Sequence, residues 1–379
     1  MWKYIFKGRI DMNLTDLGWN ENFSAKMNEY KMPGLAPGRI TCVQKNLYDI
    51  MDPDGVYKAE ISGRLFYTLR FQDEFPVVGD WVLFMKPDTK QISREQKVII
   101  HSVLPRMNSI SRKTAGQKIE EQVMCANIDL IFIVTACGYD FNLRRIERYL
   151  TLVNESGIKP AIIINKTDLA DDLRKYKSEI QGIAANIPVF YTNAVKNIRM
   201  IEIEKLLVNG KTFSFLGSSG VGKSTIINNL LGLGKQKVNH VQNGGKGKHT
   251  TTARQLYILP QKGILIDNPG MRELQLWSSL DSVDDTFSDI DELAVKCRFS
   301  DCKHDHEPGC AVIRAVSEGI LDEKRVISYR KQKIEIRNLQ AKAGIGKKEL
   351  IKLRNEKFKD LSKQIKKKKK NTNKYHKFC

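Results

Sequence analysis

Residues 217–225 read GSSGVGKST, a glycine-rich loop set between a β-type run, TFSFL, and a helix-type run, STIINNLL. Small residues let successive backbone N–H groups wrap an anion, and a helix starting at the loop adds its dipole, so the stretch is suited to a nucleotide phosphate. Gly217, Ser218, Ser219, Gly220, Val221, Gly222 and Thr225 are expected to line the phosphates, Lys223 to reach the β- and γ-phosphates, and Ser224 to hold Mg²⁺. Downstream, GILIDNPG at 263–270 reads as a strand ending in Asp-x-x-Gly, which places Asp267 in the Mg²⁺ shell and the Gly270 N–H at the γ-phosphate. Between these motifs lies NGGKGKHTTTA, 243–253, a glycine-rich polar segment that reads as a switch. One of Thr250, Thr251 and Thr252 would complete the Mg²⁺ sphere, and Thr251 is the assignment made here.

A second constellation, NKTD at 165–168, closes the apolar strand PAIIIN. A carboxylate can accept two hydrogen bonds from guanine N1–H and the N2 amino group, which adenine lacks, so Asp168 is expected to select GTP over ATP. Lys166 would lie over the base, Asn165 would tie neighbouring loops together, and Thr167 completes the motif. TNA at 192–194 follows the next strand, where the Ala194 amide is placed to read the guanine oxygen. In this chain the base reader precedes the phosphate loop, the reverse of the usual order, which makes the domain a circular permutation. A site built from loops on one edge of a sheet tolerates such rejoining. The position after Asp-x-x-Gly, where many GTPases carry a water-orienting glutamine, holds Met271, which cannot orient water. Intrinsic hydrolysis is therefore expected to be slow, with His249 as the candidate that positions the water.

A third group, Cys297, Cys302, His304 and Cys310, offers three thiolates and an imidazole within 14 positions. That donor set suits one tetrahedral Zn²⁺ in a closed, structural site, with iron–sulfur ligation as the alternative. His306 lies close by and is not assigned as a ligand. The chain's other cysteines, of seven in all, are scattered and make no disulfide framework.

These motifs need a scaffold. Strand and helix patterns alternate from DLIFIVTA through LRRIERYLTLVNES, PAIIIN, LRKYKSEIQGIAA, PVFYT, IRMIEIEKLLV and TFSFLG to KSTIINNLLG, as in a parallel α/β sheet with helices on both faces. Ahead of it, RITCVQ, YKAEIS, RLFYTLR, DWVLFMK and VIIHSVL read as short strands, with Asp52-Pro53-Asp54-Gly55 and Lys86-Pro87-Asp88 as turns, and suggest a small oligonucleotide-binding (OB) barrel. The expected fold class is multidomain α/β. It comprises an irregular leader over 1–37, an OB barrel over 38–108, a permuted phosphate-loop GTPase domain over 109–282, a helical zinc domain over 283–340 and a basic tail over 341–379. Translation could start at Met1 or Met12.

With 379 residues, 41% of them apolar, the chain can bury several cores. Its longest apolar runs, LIFIV and AIIIN, are far short of a membrane span, and its N-terminus lacks a secretory signal, so the expected place is the cytoplasm, away from membranes. The formal net charge is +20, and from Asp322 onward 21 Lys and Arg face 6 Asp and Glu. Such a tail implies a polyanionic partner, nucleic acid above all, or else serves as a solubilising appendage. Leu350, Leu353, Phe358, Leu361 and Ile365 fall near one helical face of the tail, which reads as a basic amphipathic helix on RNA.

The permuted order, together with VVGDWV, LPRMNSISRK, QVMCANID, KHTTTARQL, DNPGMREL and FSDCKHDHEPGC, resembles the RsgA/YjeQ family of ribosome small subunit-dependent GTPases over about residues 38–330. The resemblance implies an OB domain, a permuted GTPase domain and a zinc domain held by the four ligands above. It also implies a role in late maturation of the small (30S) ribosomal subunit, whose binding stimulates GTP hydrolysis, and it supports His249. Two positions depart from the family pattern: Asn268 replaces Thr or Ser, and the stretch TNA replaces a Ser-Ala pair. The partners expected are the small subunit with its rRNA and GTP/GDP, with the chain acting as a monomer. Two other readings compete. One is an RNA-binding or chaperone protein whose nucleotide site regulates affinity without turnover, which Met271 favours. The other is a small-molecule kinase, which leaves NKTD and the cysteine cluster without a role.

Overall fold

The computed structural model describes residues 12–30, 33–44, 47–69, 72–87, 97–113, 121–184, 186–232, 254–267 and 280–338. Its first strands are β1 (Leu35–Gln44), β2 (Leu47–Asp52), β3 (Gly55–Ile61), β4 (Trp81–Met85) and β5 (Val98–Val103). They pair in the order β1-β2-β3-β5-β4, and β4 returns to β1, which closes a five-stranded barrel. Ile40, Tyr48, Ile50, Ala59, Val82, Phe84, Val98 and Ile100 fill it. The Asp52–Gly55 turn forms as the sequence predicts, with Asp52 Oδ1 accepting the Asp54 and Gly55 amides at 2.8 and 3.0 Å.

Two sequence expectations are corrected here. RLFYTLR is a helix, α2 (Gly63–Thr68), started by Ser62, whose side chain accepts the Leu65 amide. The physical reason is the closure itself: β2 and β5 occupy both edges of β3, so the segment that follows has no strand to pair with. The supposedly irregular leader contains α1 (Glu21–Asn28), capped by Asn20. Its Phe23, with Leu17 and Trp19, packs on Trp81, the Trp19 and Trp81 rings meeting edge-on at 4.8 Å.

After the barrel a hairpin, β6 (Ser109–Lys113) with β7 (Glu121–Ala126), leads into the α/β region. There β8 (Leu130–Ala136), β9 (Lys159–Asn165), β10 (Val189–Tyr191), β11 (Thr212–Leu216) and β13 (Gly263–Asp267) are parallel, in the order β10-β9-β8-β11-β13. Alternate residues of β8 serve opposite faces. Ile131 and Ile133 pack with α3 (Leu143–Glu155) and α4 (Leu173–Gln181), while Phe132 and Val134 pack with α5 (Met200–Glu204) and α6 (Lys223–Leu230). Strand β12 (Gln255–Leu259) runs antiparallel to β13 and also meets β1 at Cys42 and Gln255, joining barrel and α/β sheet into one sheet of eleven strands.

The C-terminal part is helical: Leu280–Thr286, Ser288–Ala294, Ala311–Ser317 and a helix over 323–338 surround Val283, Phe287, Ile290, Val312 and Tyr329. It is seated on α3. Arg325 donates to Glu147 at 2.6 Å and to Asp289, Gln332 meets Thr151 at 3.0 Å, and Thr286 meets Asn154 at 3.1 Å. Burial pushes the Glu147 carboxyl up, against the pull of Arg144 and Arg325. Among the described residues no helix is long and apolar enough to cross a membrane.

One buried cation locks the three N-terminal parts together. Arg39, in β1, donates to the carbonyls of Leu17 at 2.6 Å, Asn127 at 2.9 Å and Gly79 at 3.2 Å. Desolvation pulls its guanidinium down to about 10, with Asp129 and Asp80 opposing. Replacing Arg39 by Met would take this donor from the Leu17 and Asn127 carbonyls, while the Gly79 carbonyl keeps Asn127 Nδ2 at 3.0 Å, a loss of about 2–5 kcal/mol by the cost of unsatisfied buried polar groups. Denaturant unfolding of Arg39→Met is expected to show that drop, and an unchanged midpoint would show that the Leu17 and Asn127 carbonyls find other donors.

Candidate functional site

The loops at the C-terminal ends of β8, β9, β10 and β11 gather where chain order reverses, since β8 leads outward to β9 and β10 before the chain returns to β11 on its other side. Open α/β sheets take their ligands at such a switch point. Residues 217–222 form the turn between β11 and α6, and its shape depends on two glycines. A Cβ on Gly217 (φ +155°) would stand 2.2 Å from the Val134 carbonyl oxygen, and one on Gly222 (φ +101°) 2.1 Å from Asn165 Nδ2. Helix α6 begins at Lys223, so its first amides face the loop. Lys223 folds back into the turn, where Nζ donates to the carbonyls of Gly217 and Ser218 at 2.6 and 2.5 Å. Val221 is buried, whereas Ser219, Gly220 and Ser224 are exposed and Ser218 and Thr225 are half-buried.

Asn165 closes β9 and is 2% exposed. Its Nδ2 donates to the Val221 carbonyl of the phosphate loop at 2.9 Å, and its Oδ1 accepts from the Ala194 amide at 3.0 Å and from Thr192 Oγ1 at 3.3 Å. One side chain thus ties together the loops after β9, β10 and β11. Lys166 follows with a left-handed backbone, φ +57°, and the Thr167 amide donates to the Thr192 carbonyl, which turns the exposed Asp168 outward. Asn193 Nδ2 donates to Asp168 Oδ1 at 2.7 Å. Sequence reasoning missed Asn193 as a site residue; the signal available was its place in TNA, which was read for Ala194 alone. The Ala194 amide also stands differently from expectation, since it is engaged by Asn165 Oδ1 rather than presented to a base.

Asp267 ends β13, the strand beside β11, where the Ser214 hydroxyl donates to the Ile266 carbonyl at 2.8 Å. His249, Thr250, Thr251, Thr252, Asn268, Gly270 and Met271 lie outside the described residues, as does the tail from 339.

The structure brings the four predicted thiolate and imidazole groups together, their ligand atoms all lying within 4.8 Å of one another. Cys297 Sγ is 3.8 Å from Cys310 Sγ and 3.6 Å from His304 Nδ1, and His304 Nδ1 is 3.4 Å from Cys310 Sγ. With zinc–sulfur and zinc–nitrogen bonds of about 2.3 and 2.0 Å, a tetrahedron has edges of roughly 3.8 and 3.5 Å, so these spacings fit Zn²⁺. His306 points away, 91% exposed and beside Asp305. Four protein donors would leave no open position, so the ion would bind together the ends of the 297–310 loop and, through Cys310, the start of helix Ala311–Ser317.

Two outcomes are expected. Asn165→Ala should weaken binding of a fluorescent guanine nucleotide by about tenfold or more, since both loops lose their common partner; unimpaired binding would show that the loops hold their geometry without it. Elemental analysis should find one zinc per chain, reduced by Cys310→Ser, and chelation should lower the melting midpoint, because metal binding supplies folding energy.

The same architecture occurs in known proteins. The RsgA GTPase family model matches residues 103–277, and a model described as 50S ribosome-binding GTPase matches residues 212–371. A protein of Methanosarcina acetivorans, named small ribosomal subunit biogenesis GTPase RsgA, is 42% identical over 359 residues, 94% of each chain. One of the same name from Syntrophotalea carbinolica is 39% identical over 334 residues, 86% of this chain and 90% of that one. The crystal structure of YjeQ from Thermotoga maritima superposes with a TM-score of 0.60 at 26% identity, over 80% of this chain and 98% of that chain. That of YloQ, described as a circularly permuted GTPase, gives 0.54 at 25% identity, over 82% and 97%. With its fold, its motif order and near-full-length identity of this degree in agreement, the chain belongs to the RsgA GTPase family.

Proposed function

We propose that this chain is a GTP hydrolase acting in the late maturation of the small ribosomal subunit. The observation that carries the reading is the Asn165 side chain, which fastens the NKTD loop to the phosphate loop and so holds the two motifs together for one guanine nucleotide. There Asp168 accepts from guanine N1–H and the N2 amino group, while Lys166 covers the base. The amides of residues 217–225 surround the phosphates, and Lys223 leaves its carbonyl partners for the β- and γ-phosphates. Ser224, Asp267 and Thr251 hold the Mg²⁺ that accompanies GTP, and the Gly270 amide meets the γ-phosphate. Mg²⁺ supplies charge neutralisation at the phosphates, and the protein's part is to position them. With Met271 unable to orient water, His249 does so when the small subunit is bound.

The division into leader, barrel, GTPase domain, zinc domain and tail, at the borders given above, fits this task. The barrel and the lysine-rich tail would bind rRNA, and the zinc would be structural. The names of the M. acetivorans and S. carbinolica relatives point to the small subunit, and the charge distribution suits an RNA partner. The cytoplasm, where ribosomal subunits mature, is the place proposed for a monomeric chain.

The test is GTP turnover by the purified protein, alone and with small or large ribosomal subunits, with ATP as control. Strong stimulation by the small subunit alone, abolished in Lys223→Ala, is expected. Asp168→Asn should cut the preference for GTP over ATP by at least tenfold, through the lost pair of hydrogen bonds. Stimulation by the large subunit alone, which the 50S ribosome-binding model would favour, would overturn the assignment to the small one.

A further inference from the structure

Helix α3 serves two parts of the molecule. Along its length it seats the C-terminal helices through Arg144, Glu147, Arg148, Thr151 and Asn154. At its first turn it reaches the phosphate loop, where the Arg145 guanidinium donates to Ser218 Oγ. The backbone there is fixed, because Asn142 caps the helix and accepts the Arg145 amide at 3.0 Å. Ser218 also receives Lys223 on its carbonyl, so two cations from different helices converge on one residue of the loop.

The neighbouring arginines are used otherwise. Arg144 pairs with Glu147 and Asp322, and Arg148 with Glu335. Among the described residues Arg145 has no carboxylate within ion-pair distance. Its charge is therefore directed at the loop, and it sits one residue away from a side chain that carries the C-terminal module. A phosphate cradle works by donors fixed before the charge develops, so a group that sets the loop's shape affects the transition state more than it affects binding.

We propose that Arg145 is a positioning residue for GTP hydrolysis, holding the phosphate loop through Ser218 from the helix on which the C-terminal module is seated, so that a displacement of that module reaches the nucleotide. This rests on the reading of residues 217–225 as the phosphate site. A misplacement of the loop by a fraction of an ångström lowers the rate without abolishing binding.

The experiment uses the full-length protein and measures kcat and KM for GTP with and without small subunits, binding of a fluorescent non-hydrolysable GTP analogue, and the melting midpoint. Arg145→Ala is expected to lower kcat about tenfold while KM, analogue affinity and melting midpoint stay near those of the unaltered protein, and Arg145→Lys to recover part of the loss. Arg148→Ala, which opens the pair with Glu335, is expected to lower kcat in the unaltered protein and to have little further effect beside Arg145→Ala, the non-additivity of a shared path. Unchanged kcat in Arg145→Ala, or a loss that follows the melting midpoint and that lysine does not relieve, would overturn the positioning role. Additive losses would overturn the link to the C-terminal module. Lys223→Ala separates the two readings. If it still binds and hydrolyses GTP, the phosphate-site assignment fails and this inference with it; if it binds none while Arg145→Ala behaves as the unaltered protein, only the role of Arg145 fails.

Discussion

A carboxamide is the smallest side chain that can donate at one end and accept at the other, and the proposed nucleotide site depends on one such group being buried at residue 165. The loops it joins follow strands β9 and β11, which are not neighbours in the sheet, because β8 lies between them. Backbone pairing through β8 spaces the two strands, but it does not fasten the loops beyond their ends to each other. An aspartate at this position would have no proton for the Val221 carbonyl, and a leucine would leave that carbonyl and the Ala194 amide without their partner. The same fact explains why the chain order could change. The site is fastened by side-chain bonds across strand ends, and those bonds are indifferent to which strand the ribosome makes first.

How much of this could be read from the sequence varied with the kind of signal. Glycine spacing, the NKTD tetrapeptide and the alternation of strand and helix all act locally, and the strands and helices from Leu130 to Leu230 fall where their apolar runs lie. The cysteine and histidine spacing was equally legible, because four donors so close in the chain have few ways to avoid one another. RLFYTLR was misread because its apolar and aromatic content suits a strand, while its fate was decided by a barrel that left it no partner. Strand β2 went unread for the opposite reason. Asp49 and Asp52 break up its apolar pattern, although Tyr48, Ile50 and Met51 beside them are buried. Asn193 stayed hidden because its task, orienting Asp168, depends on a contact 25 positions away in the chain.

Several stretches that carried the family resemblance hold parts of the molecule together. Asp80 of VVGDWV is fully buried, accepts the Val77 amide and pairs with Arg106 of LPRMNSISRK at 2.8 Å, while Arg106 also reaches the Phe75 carbonyl. Asn127 of QVMCANID accepts the Met107 amide and donates to the Gly79 carbonyl. These bonds run between the end of the barrel and the start of the α/β sheet, at the junction where Arg39 sits. Polar residues with buried, mutually satisfied partners fix relative placement more narrowly than apolar packing does, because each has few geometries that satisfy it.

The pairing of β1 with β12 has a temporal side. Cys42 leaves the ribosome long before Gln255, the residue it faces, and β8 likewise waits for β11. Contacts between such distant positions close large loops and slow folding, and a nascent chain holds the exposed edges of its early strands until the later ones arrive. The barrel can close on itself in that interval, since β4 returns to β1 and leaves few open edges. Barrel closure thus acts as a guard during synthesis, keeping the N-terminal strands from mispairing until the strands that complete the eleven-stranded sheet have been made.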